Sequence, residues 1–189
     1  MHFLYIHGFA SSGESHKAKA LKAGLAPYEV MTPTLSYVPS LAFQTLRQLV
    51  DESLAQKEEL TLIGASLGGY YATQLSWLYN LKAILINPAI TPYETLKLAI
   101  GEMINYSTKE RFLWTHAHLE ELKTLYTPHP DESKLLLLLQ KGDELLNYLD
   151  ALKRFPKAKN IIEEGGNHQF QGIERHIEMI LHFAKGEDA

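Results

Sequence analysis

Ser66 is the residue from which chemistry can be argued. It lies in Gly64-Ala65-Ser66-Leu67-Gly68, after the apolar, β-branched run 60–64 and before a helix-compatible run over 67–79. Strand, sharp turn and helix in that order project a serine hydroxyl above the edge of a sheet. Gly64 and Gly68 leave room where strand and helix pack closest. The N-terminus of the helix then presents free N–H groups and a favourable dipole to the reacting atom, which suits a developing oxyanion.

A serine hydroxyl is a poor nucleophile unless a base takes its proton, and the usual base is an imidazole oriented by a carboxylate. Such groups belong on loops beyond the carboxyl ends of strands. Asp143 follows the run 136–142, and His168 follows 161–167, just before the closing helix. Ser66 would attack, His168 would carry the proton, and Asp143 would hold the imidazole tautomer. Glu144 is the serious rival for the acid. Asp131 reads better as a helix cap and Asp150 as a helix residue. His116 and His118 share a spacing that metal ligands use, but no third ligand follows at a recognisable interval, so no metal is expected. His176 and His182 fall within the closing helix and read as surface or interface residues. Two backbone donors should complete the site, the N–H of Leu67 and that of Phe9 in the loop after the first strand. His7 reads as a buried brace for that loop.

The elements that must position these groups follow from periodicity. Short apolar strands are expected at 3–7, 28–31, 60–64, 82–87, 135–140 and 159–163. Helices are expected at 16–24, 39–56, 67–79, 144–154 and 171–185. In the second helix, Leu41, Leu46, Leu49, Val50 and Leu54 approximate a 3.6-residue stripe. Strands alternating with helices imply an α/β fold, a parallel sheet covered on both faces. Residues 89–133 differ in texture, being aromatic and broken by Gly and Pro. They read as an insertion of short helices over the sheet, near 92–104 and 117–126, within a single domain spanning 1–189. Its aromatic residues either line an acyl pocket or form the core of the insertion.

Composition narrows the classes of partner. Of 189 residues 46% are hydrophobic, enough for one well-cored domain. A net charge of -4 argues against nucleic acid or an anionic membrane as partner; the basic residues are scattered apart from small groups such as Lys17 to Lys22 and Lys153 to Lys159, which read as solvated helix faces. With no cysteine, disulfides, a thiol nucleophile and thiolate metal sites are all excluded. The N-terminus lacks a signal-like segment and no apolar run reaches membrane-spanning length, so a cytoplasmic location is the expectation.

Several segments together resemble a known family. They are residues 4–9 (Leu-Tyr-Ile-His-Gly-Phe), Ser11-Ser12, Ser15-His16-Lys17-Ala18, residues 64–72, Asn87-Pro88-Ala89, Gly142-Asp143-Glu144 and residues 165–170 (Gly-Gly-Asn-His-Gln-Phe). The combination looks like the small bacterial YqiA/YcfP-type esterases of the α/β-hydrolase superfamily, over nearly the whole chain. The order Ser, Asp, His is also that of α/β-hydrolases and not of the chymotrypsin or subtilisin types. The resemblance implies a compact hydrolase with a six-stranded, mainly parallel sheet in the order 2-1-3-4-5-6, starting at the strand that bears His-Gly. It also implies carboxylester hydrolysis without a cofactor. The chain departs from the family over 100–130, where no family motif is recognised. The expected activity is hydrolysis of small to medium acyl esters through an acyl-serine. The alternatives are an acyl thioesterase using the same residues and a non-catalytic binding protein of the same fold.

Overall fold

The computed structural model describes residues 1–187; residues 188 and 189, which the expected domain includes, lie outside them. In chain order the elements are β1 (His2–Ile6), α1 (His16–Gly24), β2 (Glu29–Met31), α2 (Pro39–Ala55), β3 (Leu60–Ala65), α3 (Leu67–Tyr79), β4 (Lys82–Ile86), α4 (Pro92–Thr95), β5 (Gly101–Ile104), β6 (Arg111–Trp114), α5 (His116–Thr124), β7 (Leu135–Gln140), α6 (Tyr148–Arg154), β8 (Lys159–Glu163) and α7 (Ile177–Lys185).

Six strands form one sheet in the order β2-β1-β3-β4-β7-β8, and every pairing is parallel. This is the expected 2-1-3-4-5-6 arrangement, with two further strands intervening in the chain. The central strands are apolar throughout because both faces are buried. Leu4, Ile6, Leu62, Leu85 and Leu137 point to the side carrying α2, α3 and α5. Phe3, Tyr5, Ile63, Ile84, Ile86, Leu136 and Leu138 point to the side carrying α1 and α7. Among the described residues, no helix is long and apolar enough to cross a membrane.

Four expectations need correction. The segment 92–104 is not one helix: α4 passes into a 3-10 turn at Leu96–Ala99, and β5 then pairs antiparallel with β6 in a separate hairpin. Along β6, Arg111 and Leu113 are exposed whereas Phe112 and Trp114 are buried. Apolar Leu113 on the solvent side obscures the two-residue alternation that marks a half-buried strand. The buried face of α2 is Ala42, Phe43, Leu46 and Val50, so Leu41 and Leu54 of the expected stripe lie outside it. The helix expected from Glu144 starts at Tyr148, because Asp143 accepts the Leu145 and Leu146 amides in a turn and Asn147 caps α6 by accepting from Leu149 N. The closing helix begins as a 3-10 turn at Ile173–His176, and His176 is buried against Phe170 instead of lying on the surface.

The contact of α3 with β1 and β3 is the closest approach between elements that carry the site. A Cβ on Gly68 would lie 2.0 Å from the carbonyl oxygen of Ile6, and one on Gly64 would lie 2.3 Å from the carbonyl oxygen of Gly68. Neither position has space for a methyl group while strand and helix stay where they are. Gly68→Ala is therefore expected to lower stability by roughly 1–3 kcal/mol, the usual cost of overpacking. Urea unfolding measures this, and an unchanged midpoint would show that α3 shifts off the sheet freely.

Candidate active site

Ser66 sits between β3 and α3 with φ 53° and ψ -119°. A positive φ at a non-glycine residue costs on the order of 1–3 kcal/mol and persists only where surrounding bonds enforce it. Here the Ser66 N–H donates to Ile86 O at 3.0 Å. Its carbonyl accepts from Gly69 N at 2.9 Å and Ala89 N at 3.0 Å. The side chain is thereby turned away from the helix and toward the loop after β8.

That loop carries His168. Its Nε2 lies 3.0 Å from Ser66 Oγ, and its Nδ1 lies 2.9 Å from Asp143 Oδ2 and 3.0 Å from Oδ1. The Asp143 side chain is only 2% exposed. Burial opposes its ionisation, but hydrogen bonds from His168 and from the Leu146 and Leu145 amides outweigh that and hold the carboxyl below its ordinary value. An ionised Asp143 can only accept, so Nδ1 carries the proton and Nε2 presents its lone pair to the serine hydroxyl. A chain of this kind can draw the proton off Ser66 as its oxygen attacks.

The competing acids lie elsewhere. Glu144 Oε2 accepts the His168 backbone N–H at 3.0 Å, so it anchors the loop and leaves the ring to Asp143. Asp131 caps the turn at Glu132–Lys134 through Ser133 N, as expected of it, and Asp150 lies in α6. His118 closes a capping box with Thr115 and packs on Trp114 with ring centroids 4.8 Å apart.

The loop after β1 lies directly over the serine. A Cβ on Gly8 would be 3.1 Å from Ser66 Cβ and 3.6 Å from Oγ, so a side chain there would press on the serine. His7 secures the loop from behind. The Leu35 amide donates to Nε2 at 3.0 Å, which leaves Nδ1 protonated and donating to Gly8 O at 2.8 Å. Burial pushes the His7 pKa down, against the raising effect of Gly8 O, and favours this neutral tautomer. The Phe9 N–H follows in that loop, and the Leu67 N–H opens α3, where no carbonyl of its own helix can accept it.

Three features were absent from the sequence reading. The Gln140 side chain ends β7 and is almost fully buried. Its Oε1 accepts from Asn167 N at 3.2 Å and Gln171 N at 2.9 Å, and its Nε2 donates to Gln171 O at 2.8 Å. Asn87 donates to Asn167 O at 3.1 Å and accepts from Gln140 N at 2.9 Å. These two amides clamp the His168 loop on both sides. A polar residue closing the run Leu135–Leu139 was the available signal, but a strand end is also where solvent exposure is ordinary. The third feature is the β5–β6 hairpin, which props the loop after β1. Tyr106 N donates to Ala10 O at 2.8 Å, Asn105 Nδ2 donates to Ser11 O at 2.9 Å, and Phe9 packs edge-on to Trp114 with centroids 4.8 Å apart.

Ser66 and His168 open into a cavity of about 970 Å³. Leu96, Leu98, Met103, Leu145, Phe170 and Ile173 make much of its wall apolar. Of the aromatic residues of the insertion, Tyr106 lines it, whereas Phe112 and Trp114 belong to the core.

This architecture is that of the α/β-hydrolases. It superposes on mouse alpha/beta hydrolase domain-containing protein 10 with a TM-score of 0.74 and 16% identity, covering 97% of this chain and 89% of that one. The esterase domain of a Rhodothermus marinus protein superposes with a TM-score of 0.73 and 19% identity, covering 98% and 86%. The chain belongs to the uncharacterised protein family UPF0227, which it matches over residues 2–185. Within that family, UPF0227 protein YcfP of Escherichia coli O9:H4 (strain HS) is 24% identical over 184 residues, covering 95% of this chain and 97% of its own length.

The clamp leads to a measurable expectation. Gln140→Ala releases the Asn167 and Gln171 amides, whose hydrogen exchange should accelerate about tenfold, the equivalent of one hydrogen bond. Exchange at Leu137 in the middle of β7 should stay unchanged. Equal protection at all three in the variant would mean that other contacts hold the loop.

Proposed function

We propose that this protein is a serine esterase that hydrolyses small to medium acyl esters. The observation that carries the reading is the unbroken Ser66–His168–Asp143 hydrogen-bond chain at the wall of a largely apolar cavity. The fold shared with an esterase domain supports it as well.

In this reaction Ser66 Oγ attacks the ester carbonyl carbon while His168 Nε2 takes the hydroxyl proton. The carbonyl oxygen becomes an oxyanion, received by the N–H groups of Phe9 and Leu67. The intermediate collapses, and the alcohol leaves with the proton from His168, giving acyl-Ser66. Water then attacks the acyl carbon and gives a proton to His168. Collapse releases the acid and returns the proton to Ser66. Asp143 keeps Nδ1 protonated throughout and stabilises the imidazolium. No cofactor enters any of these steps. The same residues would serve a thioester, because thiolate is the easier leaving group.

We also take the chain to be one domain, with 89–133 acting as cover for the cavity and not as an independent unit. Phe112, Trp114, Leu119 and Leu122 share a core cluster with Leu4 and Leu62 of the sheet, which supports that reading.

The test is the intact mass of the protein after incubation with a fluorophosphonate. One adduct is expected on the native protein and none on Ser66→Ala. Absence of an adduct on folded native protein would replace this reading with a non-catalytic binding role. Asp143→Asn should keep the fold and lose about four decades of ester turnover, as expected when the wrong imidazole tautomer is held. A near-native rate would move the acid role away from Asp143.

A further inference from the structure

Lys17 stands in the first turn of α1, and its side chain belongs to the wall of the same cavity as Ser66 and His168. Lysine is an unusual lining residue for a pocket whose other walls include Leu96, Leu98, Met103, Phe170 and Ile173. Lys17 is half-buried there, and burial pushes its amine down to about 8, with Asp143 opposing the shift. It is not held in a structural ion pair: no carboxylate of the described residues comes within salt-bridge distance of it. Asp143 favours its charge from a distance, yet that carboxylate already accepts from His168 and from two backbone amides. Among the described residues the ammonium thus has no ion-pair partner, and Lys17 lines the cavity where a bound anion would supply one.

The remainder of the wall fits an anion at that position. Glu174 is the one acidic residue in the lining, and it is exposed. His16 and Lys17 also bring the N-terminal end of the nine-residue α1 to the cavity, where the helix dipole favours negative charge.

Resting on the esterase reading of Ser66, we propose that Lys17 makes this cavity selective for esters that carry a carboxylate, which its ammonium pairs with while the ester carbonyl lies at Ser66. The carboxylate belongs to either the acyl or the alcohol portion, since both flank the carbonyl, and the experiment has an arm for each.

Two pairs of esters are compared by kcat/KM. On the acyl side they are the para-nitrophenyl monoester of adipic acid and its neutral methyl diester. On the alcohol side they are para-acetoxybenzoate and its methyl ester. The native enzyme should prefer the anionic member of at least one pair. In Lys17→Met that preference ratio should fall by about ten- to a hundredfold, the range of a charged hydrogen bond. Lys17→Arg should restore much of it, and added salt should reduce it in the native enzyme. Lys17→Gln provides a second neutral variant if Lys17→Met misfolds. Native ratios near one in both pairs, or ratios that Lys17→Met and Lys17→Gln leave unaltered, overturn the role of Lys17 and leave the esterase reading standing. Failure of the native protein to hydrolyse any of the four esters, together with no fluorophosphonate adduct, overturns both.

Discussion

The backbone at Ser66 is the constraint on which the site depends. A serine held at φ 53° is unfavourable by itself, so the fold must supply enough structure on each side to hold it. It does so with β4, whose last residue accepts the Ser66 N–H, and with the turn after β4, whose Ala89 amide meets the Ser66 carbonyl. The glycines at 64 and 68 let α3 sit directly on the sheet, so the helix cannot drift and relax the turn. Parallel strands buried on both faces supply the rigidity behind it.

The other half of the site rests on less regular backbone. His168 lies in a loop entered through Gly165 and Gly166, both at positive φ, so no repeating ladder fixes the imidazole. Side chains take over that role: Gln140 and Asn87 bond the loop backbone around it, Glu144 takes its own amide, and Asp143 takes its ring. Buried polar networks of this kind are specific only when each member is satisfied, because an unpaired member at low dielectric costs more than a pair contributes. The dense bonding of Gln140 follows from that. The loop around the imidazole is thus secured by two uncharged amides, Gln140 and Asn87, together with two carboxylates, Glu144 and Asp143.

The β5–β6 hairpin serves the opposite wall. Its inner face buries Phe112 and Trp114 against Phe9, and its tip bonds the backbone at Ala10 and Ser11. The loop that passes over Ser66 is therefore fixed by aromatic packing at Phe9 and by hydrogen bonds at Ala10 and Ser11, with His7 holding its start. The same insertion contributes Leu98 and Tyr106 to the cavity, so one segment both steadies the loop after β1 and shapes the space beside it.

The sequence alone determined the alternating α/β plan, the strand order once the resemblance was seen, and that Ser66, Asp143 and His168 lie on turns just past strand ends, where the structure joins them by hydrogen bonds. It could do so because these features are local. A buried parallel strand must be apolar along its length, and a strained serine turn needs its glycines. What only the tertiary structure decided depends on partners far apart in the chain. Asp143 and Glu144 are adjacent carboxylates with the same chemistry, and only the course of the His168 loop sends one to the ring and the other to the backbone. Gln140 and Asn87 look like ordinary strand ends until residues about 30 and 80 further on fold over them. The hairpin escaped notice because its alternation is broken by Leu113, and its burial is set by Phe9, about a hundred residues earlier. Lys17 likewise reads in the sequence as part of a solvated helix face, yet it lines the cavity, since a helix does not specify what will pack beside it.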